Sequence, residues 1–93
     1  MTNAEKLEAI HRLVRNCGKE GKKRGGYYTY TYQCGACPIT AYTEDEGYTH
    51  GIFVPDMLDC WYTHGREEVE FASTCQEWGA ESLDSLYKVA IRA

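Results

Sequence analysis

The sequence predicts an α+β fold: a small antiparallel sheet of three to four strands with an N-terminal helix and a C-terminal helix. Three observations predict it. A capped amphipathic segment opens the chain. Two runs of Tyr, Thr and Ile flank the tight segment Cys34-Gly35-Ala36-Cys37. A stretch rich in Ala, Leu, Glu and Lys closes it. Ninety-three residues suit one domain, 1–93, with a modest core.

Residues 3–17 read as the first helix. Thr2 and Glu5 fit a capping box, in which hydroxyl and carboxylate each satisfy an orphan amide. Leu7, Ile10, Val14 and Cys17 recur at helical spacing, and Gly18 is the predicted stop. Residues 18–26 mix four glycines with Lys19, Lys22, Lys23 and Arg24, which predicts a solvated basic loop. Residues 27–33 and 38–44 are predicted as a hairpin, with Tyr28, Tyr30 and Tyr32 on one face. Glu44-Asp45-Glu46-Gly47 reads as an acidic turn, and 48–54 as a third strand ending at Pro55.

Beyond Pro55 the pattern weakens. Residues 55–62 suit a short helix with proline in its first turn, ended by Gly65. Val69 and Phe71 alternate with Glu68 and Glu70, which predicts a fourth strand. Thr74 and Glu77 fit a second capping box. Trp78, Leu83, Leu86, Tyr87 and Ala90 follow a helical stripe, whereas Tyr87, Val89 and Ile91 alternate as in a strand. Helix is preferred, because β-branched residues are sparse here. Tyr48-Thr49-His50-Gly51 recurs as Tyr62-Thr63-His64-Gly65, but the flanks differ, and chance in a Tyr- and Thr-rich chain explains it.

The net charge of −4 conceals an asymmetry. Residues 1–25 carry seven bases and three acids, net +4; residues 26–93 carry three bases and eleven acids, net −8. No Lys or Arg occurs between Arg24 and Arg66. An acidic body repels nucleic acid and attracts basic surfaces. The N-terminus lacks the basic and apolar regions of a signal peptide, and no stretch approaches the ~18 apolar residues that span a bilayer. A cytoplasmic protein, with no membrane partner, is expected.

In a reducing compartment five cysteines read first as buried thiols or metal ligands. Cys34, Cys37, Cys60 and His64 give C-x2-C followed by C-x3-H, four donors of the kind a structural zinc takes. The first pair sits on a hairpin turn and resembles a zinc-ribbon knuckle, which implies one structural zinc in an accessory module of a transcription or replication assembly. Cys75, His50 or Cys17 are alternative members. A redox role lacks the helix N-terminus that lowers a thiolate pKa.

No nucleophile–base–acid arrangement is visible, so no enzyme is expected. Eight Tyr and two Trp exceed what a small core absorbs, and such side chains are enriched at protein interfaces. The leading expectation is therefore a small acidic binding protein that blocks a macromolecular partner. Its contacts would be Glu44, Asp45, Glu46, Asp56 and Asp59, with Trp61, Tyr30 and Tyr42 as anchors. The partner would be a basic surface on a nucleic-acid-binding protein or complex, with no direct contact to nucleic acid. In size and composition the chain is similar in kind to phage-encoded inhibitors of bacterial defence, such as anti-CRISPR proteins.

Overall fold

A computed structural model of the chain describes residues 1–66, 68–72 and 76–92. Helix α1 (Asn3–Cys17) is followed by strands β1 (Lys19–Glu20), β2 (Tyr27–Cys34), β3 (Cys37–Glu44), β4 (Thr49–Val54), β5 (Leu58–Thr63) and β6 (Val69–Phe71). Helix α2 (Gln76–Ala90) comes last. The six strands form one antiparallel sheet in chain order. The α+β class and both terminal helices match expectation; the strand count of three to four does not.

The two unforeseen strands have different origins. β1 lies inside the predicted basic loop. Lys19 and Glu20 are exposed and pair with Thr31 and Tyr30 through backbone alone, so no side-chain pattern announces them. β5 replaces the predicted short helix. Pro55-Asp56-Met57 forms a turn in which Asp56 takes φ 59°, and the chain reverses onto β4. Along β5, buried Leu58, Cys60 and Tyr62 alternate with half-buried Asp59, Trp61 and Thr63, a period of two rather than 3.6.

α1 starts where the sequence places it. The Thr2 hydroxyl accepts from the Glu5 amide at 3.2 Å, and the Glu5 carboxylate accepts from the Thr2 amide at 3.1 Å. The Gly18 amide closes the helix on the Val14 carbonyl. A Cβ at Gly18 would meet the backbone oxygens of Val14 and Thr31, so only glycine lets α1 end this close to β2. The β2–β3 hairpin turns at Gly35-Ala36, with Gly35 at φ +62° and Cys34 opposite Cys37.

Both helices lie on one face of the sheet and against each other. Leu7, Ile10 and Val14 from α1 meet Leu83, Leu86 and Ala90 from α2 over Ile39, Ala41, Ile52, Val54, Leu58, Cys60 and Tyr62. A fully buried aliphatic side chain contributes about 1.5–3 kcal/mol, so this cluster is the main source of stability. Cys17, expected on the apolar stripe, is exposed; His11 takes a place in that stripe instead. The C-terminal segment is helical, leaving Val89 and Ile91 exposed and ending the strand alternative. The expected Thr74–Glu77 capping box falls outside the described residues, as does Cys75. No helix among the described residues is long and apolar enough to cross a membrane.

Candidate functional site

α1 projects Glu8, His11 and Arg15, at positions i, i+3 and i+7, over the end of the sheet where β3 stops, β4 starts and β5 stops. There they meet Thr43, His50 and His64 around an open cleft of about 490 Å³, which Arg12 and Asn16 also line.

The two sheet histidines belong to the repeated Tyr-Thr-His-Gly sequence. In the β4–β5 register Thr49 pairs with Thr63 and His50 with Tyr62, while the His64 amide donates to the Tyr48 carbonyl at 2.8 Å. The two tetrapeptides are thus related by a local two-fold axis through the threonine pair, whose hydroxyls lie 3.2 Å apart. This symmetry sends both imidazoles to the same face as diagonal neighbours, with ring centroids 5.1 Å apart. The repeat that composition alone makes look accidental is the signal that locates the site.

His11 is buried and held from β3. Its Nε2 stands 3.2 Å from the Tyr42 carbonyl oxygen and 3.0 Å from Thr43 Oγ1. A carbonyl only accepts, so Nε2 bears the proton and Nδ1 keeps the lone pair. The ring packs 4.6 Å from that of His50, which in turn touches Tyr62 at 5.2 Å. Burial pushes His11 down to about 4, aided by Arg15 and opposed by the Tyr42 carbonyl. Burial also pushes His50 down to about 4, with His11, His64 and Arg15 adding to the effect. Both are neutral imidazoles at neutral pH.

A metal-compatible group is present, but it is not the predicted one. Among the described residues, Glu8, His50 and His64 bring one donor atom each within 4.8 Å of one another. Of the expected quartet only His64 is there. Cys34 and Cys37 face each other at the opposite end of the sheet as half-buried free thiols. Cys60 is buried two strands over: it pairs with Ile52, which pairs with Ala41, four residues along β3 from Cys37. The C-x2-C and C-x3-H spacings resemble a zinc knuckle, but the sheet register separates their side chains. Desolvation pushes the Cys60 thiol up to about 12, as for a small core hydrophobe.

The second candidate surface is the other face of the sheet, on which no helix among the described residues packs. There Tyr42 of β3 lies across Gly51 of β4. Its hydroxyl reaches Asp59 Oδ1 at 3.2 Å and the Cys60 carbonyl at 3.1 Å. Burial and the Asp59 charge raise the phenol pKa well above its ordinary value. Trp61 follows in register and donates from Nε1 to Glu70 at 2.8 Å. Tyr27 meets Tyr42 edge-on at 5.7 Å. With Phe53, 41% exposed, these rings make an aromatic strip among threonines.

The expected partner-binding residues divide. Glu44, Tyr42, Asp59 and Trp61 share this uncovered face by alternation. Tyr30 lies on the helix-covered face, with the Arg15 guanidinium carbon 5.7 Å from its ring centroid. Asp45 and Glu46 sit in the β3–β4 turn, where Lys23 pairs with Asp45 at 2.6 Å. Asp56 occupies the β4–β5 turn, roughly 20 Å away along a six-residue strand. The acidic residues therefore do not form one patch. The chain matches no protein-family model, no curated protein and no solved structure.

Proposed function

We propose that this chain is a non-enzymatic binding protein that blocks a macromolecular partner by docking its uncovered sheet face onto a basic protein surface. The supporting observation is the character of that face. Tyr27, Tyr42, Phe53 and Trp61 are arrayed among carboxylates, and residues 25–65, which include all of β2 to β5, contain no Lys or Arg. Aromatic side chains of this kind supply contact area at small entropic cost. The carboxylates Glu44 and Asp59 favour a cationic counterpart and disfavour nucleic acid itself, whereas Glu70 is already paired with Arg66 at 2.9 Å. Nucleic-acid-binding clefts are basic surfaces of that type, and carboxylates can stand where phosphates would. A small inhibitor of a nucleic-acid-binding complex, of the phage-encoded kind, fits this chemistry.

The test is affinity capture from bacterial extract with three baits: the wild-type chain, Trp61→Arg and Thr40→Arg. Both substitutions place a cation on the uncovered face and leave the core untouched. We expect a basic nucleic-acid-binding protein to be retained by the wild type, lost from both variants, and released by competing nucleic acid. Its association should slow with salt, as the Debye length falls from ~10 Å at 0.1 M to ~3 Å at 1 M. An unchanged capture profile for the variants, or tight binding of the free chain to DNA or RNA, would refute the reading.

A further inference from the structure

We propose that Glu8, His50 and His64 form a binding site for one divalent transition-metal ion of the zinc class, in the cleft between α1 and the β4–β5 end of the sheet. The inference is independent of the docking face, which lies on the other side of the sheet.

The first support is geometric. The three donor atoms come from a helix, a strand and the residue just past a strand, yet all lie within 4.8 Å of one another. Three ligands at about 2.0–2.2 Å from one tetrahedral ion stand roughly 3.3–3.5 Å apart, so closure needs movements of about 1 Å. Glu8 and exposed His64 have the side-chain freedom for that; His50 is the fixed member.

The second support is an unspent donor. His50 is only 7% exposed, yet its ring makes no hydrogen bond among the described residues. His11 beside it uses its Nε2 on Tyr42 and Thr43, so the same environment does supply partners to one imidazole and withholds them from the other. No buried side-chain nitrogen or oxygen among the described residues is sealed off without a partner, so the His50 nitrogens open toward the cleft rather than into the core. Glu8 likewise forms no ion pair among the described residues, although Arg12 lies one turn along the same helix. Buried polar groups are normally satisfied, so a buried imidazole left open beside a second imidazole and a carboxylate is placed to take a cation.

The donor set selects the ion. Two imidazoles and a carboxylate suit zinc, cobalt, nickel or copper, whereas magnesium and calcium prefer all-oxygen sites. His11, packed at 4.6 Å and fixed from β3, holds the His50 ring in place as a positioning residue. Three protein ligands leave a fourth position facing the cleft. Arg12 and Arg15 line that cleft, so a water or a small anion such as phosphate would complete the coordination.

The experiment uses the untagged full chain and zinc chloride alone, by titration calorimetry, with cobalt(II) absorption as a second probe. We expect one ion per chain and a cobalt spectrum free of thiolate charge transfer. Glu8→Gln and His64→Ala, at half-buried and exposed positions, should each weaken zinc binding at least about 10-fold. Circular dichroism would confirm that both variants fold. Cys34→Ser/Cys37→Ser should bind as the wild type does. Absence of zinc binding, wild-type affinity in His64→Ala, or binding that disappears in the double serine variant would each overturn the proposal. Failure here leaves the docking capture unaffected, and the converse holds.

Discussion

Gly51→Ala should destabilise the domain, although the same change in an unencumbered strand would help it. A Cβ at Gly51 would overlap the Cζ, Cε2 and hydroxyl oxygen of Tyr42, whose ring lies across it. The ring is the outer part of a side chain, so it would yield by lifting from the sheet. The cost is then what the ring holds. Its hydroxyl loses Asp59 and the Cys60 carbonyl, worth about 1–2 kcal/mol for a half-buried bond with one charged acceptor. Its edge contact with Tyr27 adds about 0.5–1 kcal/mol. Against this, replacing glycine by alanine restricts the unfolded chain and returns about 0.4–1 kcal/mol. The net expectation is a loss of about 1–2 kcal/mol, or a fall of roughly 5–15 °C in Tm for a domain of this size. Denaturant unfolding of a double-mutant cycle isolates the cause. In a Tyr42→Ala background the ring is gone, and Gly51→Ala should become neutral or stabilising. If Gly51→Ala is as stable as the wild type with Tyr42 present, the ring does not lie across Gly51.

Two further expectations follow from buried titratable groups. In metal-free protein, His11 and His50 hold folded values near 4 against an ordinary 6.5, so the unfolded chain takes protons first as pH falls. Their contribution is complete above about pH 6.5 and is lost on the way to pH 4. The groups facing them are Arg15 from α1 and His64 beyond β5, with Glu8 nearby. Urea midpoints measured from pH 7 to 4.5 should decline, and a flat profile would contradict the burial of these rings. Cys60, fully buried with its thiol pushed up to about 12, should resist alkylation in the native state, whereas exposed Cys17 reacts. Mass-mapped labelling of Cys60 without denaturant would show that β5 opens more readily than its core position implies.

Elements whose side chains announce them were legible. The Thr2–Glu5 cap and the Leu7, Ile10, Val14 stripe locate α1 to the residue, and the alternating tyrosines locate the β2–β3 hairpin. β1 was invisible because its pairing is purely backbone. β5 is hidden because Pro55 is as much at home before a turn as in the first turn of a helix, and Asp56 at φ 59° is a choice that composition does not reveal. The histidine site was present in the sequence as the Tyr-Thr-His-Gly repeat, but its meaning depends on register. Only when Thr49 faces Thr63 do the two histidines become neighbours. The cysteine spacing misled for the same reason, since distance along the chain says little once strands separate the pairs.

The two strands at the margins of the sheet bear on how such a molecule survives at high concentration. An antiparallel sheet with a bare aromatic face risks edge-to-edge pairing with its own copies, because every unpaired outer strand is a template. Here the outer strands are stubs. β1 offers two residues, both charged, and β6 offers three, with Glu70 at the middle. Neither is long enough to nucleate a stable ladder with another chain. The sheet can therefore keep a sticky surface without growing into fibres, since adhesion is confined to the face while polymerisation through the rims is denied.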